Sequence, residues 1–135
     1  MPHPIMFADD DPLLAQVRTI ALGYPDAFEK VSHGRPAFFV SKMFAMYGGS
    51  VKPETKGADY LHYPRSIMVK VDESDRRALQ ADNRFFYPAY LGPAGWLGLD
   101  FSASKKVDWD EVRELVDASF RMVAPKKVVR RLDQA

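Results

Sequence analysis

The 135-residue chain contains no cysteine. That excludes disulfide scaffolds, thiolate zinc sites, iron–sulfur clusters and thiol nucleophiles together. Apolar runs are short as well, and none approaches the roughly 20 residues that a membrane-spanning helix requires. Histidine is scarce, with three residues, and none belongs to an HExxH pattern. The GxxxxGKS/T and GxGxxG phosphate loops and the GxSxG nucleophile elbow are missing too. Charge of one sign is not in excess: 19 Lys and Arg against 18 Asp and Glu leave a formal net charge of +1. The opening Met1-Pro2-His3-Pro4 lacks a basic-then-apolar signal pattern, so a cytoplasmic location without membrane attachment is expected.

What is present describes a folded domain. Hydrophobic residues make up 47% and charged residues 27%, outside the range of a disordered chain. A chain of this length buries roughly two-thirds of its unfolded surface. One domain over residues 1–135 is expected, with residues 1–8 and 129–135 as flexible tails.

The pattern reads as α+β, an antiparallel sheet packed by an N-terminal helix, a short middle helix and a C-terminal helix. Asp11 and Pro12 open the first helix, Leu13, Leu14, Val17, Ile20 and Ala21 recur at its period, and Gly23 ends it. His33-Gly34-Arg35-Pro36 reads as a turn. Ala37–Val40 and Met43–Tyr47 read as a hairpin about Ser41-Lys42. Residues 48–64, rich in Gly, Pro and charge, read as a long loop. Ile67–Val71 alternates as a strand, and Asp72 caps a short helix with Ala78 and Leu79 inward. In 96–101, Leu97, Leu99 and Phe101 share one face, with Trp96 and Asp100 on the other. Asp108 and Glu111 resemble a capping box for the last helix, which Pro125 stops.

These residues resemble the MmcQ/YjbR-like family. The resemblance rests on Ser32-His33-Gly34-Arg35-Pro36-Ala37-Phe38, Lys42-Met43-Phe44-Ala45 and Val69-Lys70-Val71-Asp72. It continues in Tyr90-Leu91-Gly92, Gly95-Trp96-Leu97, Asp108-Trp109-Asp110-Glu111-Val112 and Val123-Ala124-Pro125-Lys126, spanning about residues 12–128. It implies a domain similar to CyaY-like proteins, of double-wing form and DNA-binding, with no catalytic residues to carry over.

Wings lay positive side chains against phosphates, which supplies affinity without sequence information. Candidate contacts are Arg35 at the first turn, Lys42 at the hairpin tip, Lys52, Lys56 and Arg65 around the long loop, and Lys105 and Lys106 before the last helix. Lys126, Lys127, Arg130 and Arg131 would add a flexible basic tail. The expected partner is DNA, bound weakly and without sequence preference. Tyr60, Tyr63, Tyr87 and Tyr90 flank turns, where aromatics next to cations make stacking platforms for single strands. An alternative is a protein-interaction or small-ligand accessory using a groove beside His33, Arg35, Tyr90 and Trp96. His33 and His62 lack a third ligand and His3 lies near the terminus, so neither a metal nor any other cofactor is expected. Asp9-Asp10-Asp11 is better explained as a helix start than as a cation site.

Overall fold

The first N–H groups of a helix have no acceptor within it, and a short carboxylate just upstream supplies one. In the computed structural model, which describes residues 4–135, Asp11 does this for α1 (Pro12–Ala21), accepting from Leu13 N at 2.9 Å. Asp72 does so for α2 (Glu73–Gln80), accepting from Ser74 N at 3.0 Å. Asp108 serves α3 (Trp109–Val123), accepting from the N–H groups of Asp110 and Glu111. The Glu111 carboxylate does not complete the capping box. It accepts instead from the Arg84 guanidinium, at 2.8 and 2.9 Å.

The strands are β1 (Phe28–Ser32), β2 (Arg35–Val40), β3 (Lys42–Val51), β4 (Leu61–Lys70), β5 (Phe85–Phe86) and β6 (Trp96–Asp100). They form a six-stranded sheet in the order β1-β2-β3-β4-β6-β5, with every neighbouring pair antiparallel. The α+β expectation is met.

Several local expectations change. The β1–β2 turn is His33-Gly34 alone, at φ 53° and 83°, and Arg35 and Pro36 already pair with Ser32 and Val31. Positive φ at both central residues matches the twist of a two-residue hairpin. The long loop shrinks to residues 52–60, because Gly48–Val51 extend β3 and Leu61–Pro64 extend β4. Pro64 is tolerated there for a physical reason. The β3–β4 register slips around Gly48, and the β4–β6 ladder starts only at Ser66, so no ladder bond awaits the missing N–H.

The C-terminal stretch also differs from a tail. Pro125 ends α3, but a further helix, α4 (Lys126–Gln134), starts at once. Val128 is buried and Leu132 packs on the main core, and burial of that apolar stripe offsets the poor start. At the other end residues 1–3, with His3, lie outside the described residues. Met6 N–H donates to Gly34 O at 2.9 Å and Phe7 packs on the core, so residues 4–8 are docked.

Both faces of the sheet are covered. On one, Leu14, Val17 and Ala21 of α1, Val112, Val116 and Phe120 of α3 and Val128 of α4 pack on Phe38, Phe44, Ile67, Val69, Leu97 and Leu99. On the other, Ala37, Met46, Met68, Phe86 and Trp96 form a second cluster. Trp96 is buried in this second cluster, on the face opposite Leu97 and Leu99 as the alternation predicts. α2 touches the main cluster only through half-buried Leu79, while Ala78 is exposed.

Candidate nucleic-acid interface

Antiparallel strands alternate turns between the two ends of the sheet, and this sorts the candidate cations into two groups. Lys42 opens β3 and Lys52 follows its last residue, so about 33 Å of extended chain separates them. Lys52 and Lys56 occupy the β3–β4 loop, Arg65 lies in β4 near it, and Lys105 and Lys106 follow β6 toward the same end. Lys42 shares the opposite end with α4. Phe44, two residues on, packs edge-on against Phe120 near the end of α3, immediately before α4.

The two groups differ in their counter-charges. Within the loop, Glu54 and Asp59 stand among Lys52 and Lys56, giving a locally balanced surface. On α4, Lys126, Lys127, Arg130 and Arg131 fall at i, i+1, i+4 and i+5, a spacing that places them on one side of a helix. All four are exposed. Arg131 forms a bidentate pair with Asp26, at 2.9 and 3.2 Å. Asp133, the acidic member of the helix, is engaged by Arg121 at 2.8 Å. Lys126, Lys127 and Arg130 make no ion pair among the described residues.

Lys126 and Lys127 form the first turn of α4, and no side chain caps that turn. The unpaired N–H groups there already carry the positive end of the helix dipole, so cations at this position are locally unfavourable. The arrangement concentrates positive potential that an anion would relieve.

Arg35 behaves otherwise. It is only 7% exposed and donates to Nδ1 of His62 at 3.2 Å, so it does not stand outward as the surface candidates do. Burial lowers its pKa from the ordinary arginine value. The groove residues do not converge either. Trp96 pairs with Lys70 at the far end of β4 from His62, while Tyr90 bonds Tyr60 through their hydroxyls at 2.9 Å. Tyr63 stacks on Phe86 at 4.2 Å, as a core residue. Away from these residues, an open depression of about 400 Å³ is lined by Lys106, Val107, Asp108, Trp109 and Asp110. Among the described residues no cluster of His, Asp or Glu is arranged to hold a metal, and no helix is long and apolar enough to cross a membrane.

Sequence reasoning missed Ser119. Its buried hydroxyl donates to Phe44 O at 2.6 Å and accepts from Lys70 N at 3.0 Å, fastening α3 to β3 and β4. It carried no local signal, since Phe44 is 75 positions away.

No curated protein matches the chain in sequence. The family model described as YjbR matches residues 22–122. That span holds the whole sheet and nearly all of α3, and leaves all of α1 and α4 outside it, a narrower reach than the resemblance over residues 12–128. On that match, and with an antiparallel α+β architecture, the chain belongs to the YjbR family.

Proposed function

We propose that this protein is a non-enzymatic DNA-binding domain that grips phosphates through α4, without reading base sequence. The observation that carries the reading is the exposed, unpaired trio Lys126, Lys127 and Arg130 on one side of a helix whose first turn is uncapped. Phosphate oxygens satisfy both needs, accepting from side-chain cations and from backbone N–H groups. Lys42, at the same end of the sheet, extends the footprint. The β3–β4 loop contributes less, because its carboxylates offset its lysines. No base-reading helix rich in Arg, Asn and Gln accompanies these cations, which favours affinity without sequence preference.

Fluorescence anisotropy of a labelled duplex tests the proposal. Three neutralised phosphates predict that raising salt from about 50 to about 200 mM weakens binding roughly 40-fold. Replacing Lys126, Lys127 and Arg130 by Glu removes the binding, whereas Lys52→Glu with Lys56→Glu changes it much less. Salt-independent binding, or equal loss from the two sets, would overturn the assignment to α4.

A further inference from the structure

Two residues before Ala37 of the second cluster, β2 holds a cation that no carboxylate balances among the described residues. Arg35 is 7% exposed, and among the described residues no carboxylate pairs with it. Among the described residues its guanidinium bonds Nδ1 of His62, while a guanidinium has five N–H groups to place. A buried charge without a counter-charge is costly, and proteins that keep one generally use it. Gly48 leaves room for it: a Cβ there would stand 3.3 Å from Arg35 Cδ, tight against the side chain.

The surroundings supply further donors. Arginine can only donate, so Nδ1 of His62 accepts and the imidazole proton sits on Nε2, on a side chain that is exposed. Tyr60 lies two residues before His62, a spacing that puts both on one side of an extended chain. Its hydroxyl meets that of Tyr90, and the two rings lie within 17° of parallel with centroids 6.3 Å apart. Tyr90 is 81% exposed and held at φ 65°. Its neighbour Ala89 donates to Ser50 O at 2.8 Å, and Ser50 is the β3 residue paired with His62. The exposed ring is thereby fastened beside the Arg35–His62 pair.

We propose that Arg35, His62, Tyr60 and Tyr90 form a site for a nucleoside monophosphate, with the phosphate on the guanidinium and imidazole and the base on Tyr90. An anion alone would satisfy Arg35 and leave the tyrosine pair unused. A neutral planar molecule would do the reverse. A planar base carrying a phosphate uses both, through charge-assisted hydrogen bonds and base–aromatic stacking. The site is separate from α4 and does not depend on the DNA reading.

Equilibrium dialysis of the full chain against adenosine monophosphate, inorganic phosphate and adenosine tests it. Adenosine monophosphate should bind about tenfold or more tighter than inorganic phosphate, the margin one stacked base supplies. Adenosine should bind far more weakly. Arg35→Met should keep the circular dichroism and thermal midpoint of the parent, because an apolar chain replaces a lone buried charge, and should lose the nucleotide. Arg35→Lys, which keeps charge without the fork, should also weaken binding and serves if the Met variant misfolds. Tyr90→Ala should lower nucleotide affinity to that of phosphate, and the α4 charge reversals should leave it unchanged. No binding at millimolar nucleotide, equal affinity for nucleotide and phosphate, or unaltered binding by both Arg35 variants would overturn the site.

Discussion

Three helices fill one face of the sheet, while the other is covered by chain that is hardly helical at all, and the two coverings work differently. The helical face is largely aliphatic, with Leu14, Val17, Val112, Val116 and Val128 set on Ile67, Val69, Leu97 and Leu99. A few aromatics, such as the edge-on Phe44–Phe120 pair at 5.1 Å, complete it. The opposite face has a smaller cluster of two methionines, Phe86, Trp96 and Ala37. There the closeness comes from glycine. A Cβ at Gly98 would overlap the Phe86 ring, and one at Gly49 would stand 2.9 Å from the same ring. Phe86 thus lies flat on bare backbone with Tyr63 stacked over it, 8° from parallel. A thick helical layer hides every group beneath it. Tyr90, and His62 that holds the buried Arg35, stay exposed, and so offer a place where a small molecule can be met.

The largest expected effect separates the faces most sharply. Phe120→Ala removes a fully buried ring from the helical core and should cost about 3–5 kcal/mol, read by urea unfolding. Tyr90→Ala, on the thin face, should stay within about 0.5 kcal/mol, as exposed substitutions do. Equal losses would dissolve the distinction. Next comes Gly98→Val, which inserts bulk beneath Phe86 and should cost about 1–3 kcal/mol through overpacking. Trp96 belongs to the same cluster, so its emission should shift to the red. Unchanged stability and emission would mean that Phe86 is not seated as described.

This contrast also explains what the sequence could tell. Alternation in β6 correctly placed Leu97, Leu99 and Phe101 together and Trp96 on the opposite face, without showing what covers that face. Periodicity can assign residues to two faces, but it cannot know that Phe86, ten positions earlier, returns to cover the second. The aspartate caps were legible because a cap is local chemistry. The fate of Glu111 was not, since Arg84 is 27 residues away. α4 was hidden by its own first turn, where a proline and two lysines oppose helix formation and only the tertiary burial of Val128 compensates. For the candidate site, the positions of the lysines were plain, but their grouping at two ends depended on sheet order. The burial of Arg35 depended on β4, whose first residues read as loop.

A smaller effect tests a joint between helix and sheet on the thick face. The Tyr47 hydroxyl donates to Asp11, which also caps α1. Burial first, and that bond second, push the Tyr47 pKa above the ordinary tyrosine value. Burial with a bond to Asp117 does the same for Tyr24. A raised acid holds its proton better folded than unfolded. Its contribution is complete below the unfolded value of about 10 and fades as pH rises toward the folded one. Tyr47→Phe should lower stability at neutral pH by about 1 kcal/mol. It should also flatten the alkaline fall in stability, leaving the part due to Tyr24. A steeper fall would contradict the assignment.

The smallest expected effect probes an ionic tie between the edge of the sheet and the helical covering. Arg84 precedes β5 and holds both Asp82, at 2.7 Å, and Glu111 of α3, at 2.8 Å. Both partners of the Arg84–Glu111 pair are less than a third exposed, which spares it some of the screening that weakens surface pairs. Arg84→Met keeps an apolar stem against Phe85 while removing the charge, and should lower stability by roughly 1 kcal/mol at low salt. That difference should narrow at about 1 M salt, where the Debye length falls to about 3 Å. Acid should narrow it as well. Hydrogen bonds from Arg84 hold the Asp82 carboxyl below its usual value, so its contribution is present above pH of about 4 and is lost as pH falls through the lowered value. A loss that persisted unchanged through both salt and acid would assign Arg84 a packing role, and the Arg84–Glu111 contact would then hold the sheet edge to α3 without an ionic contribution.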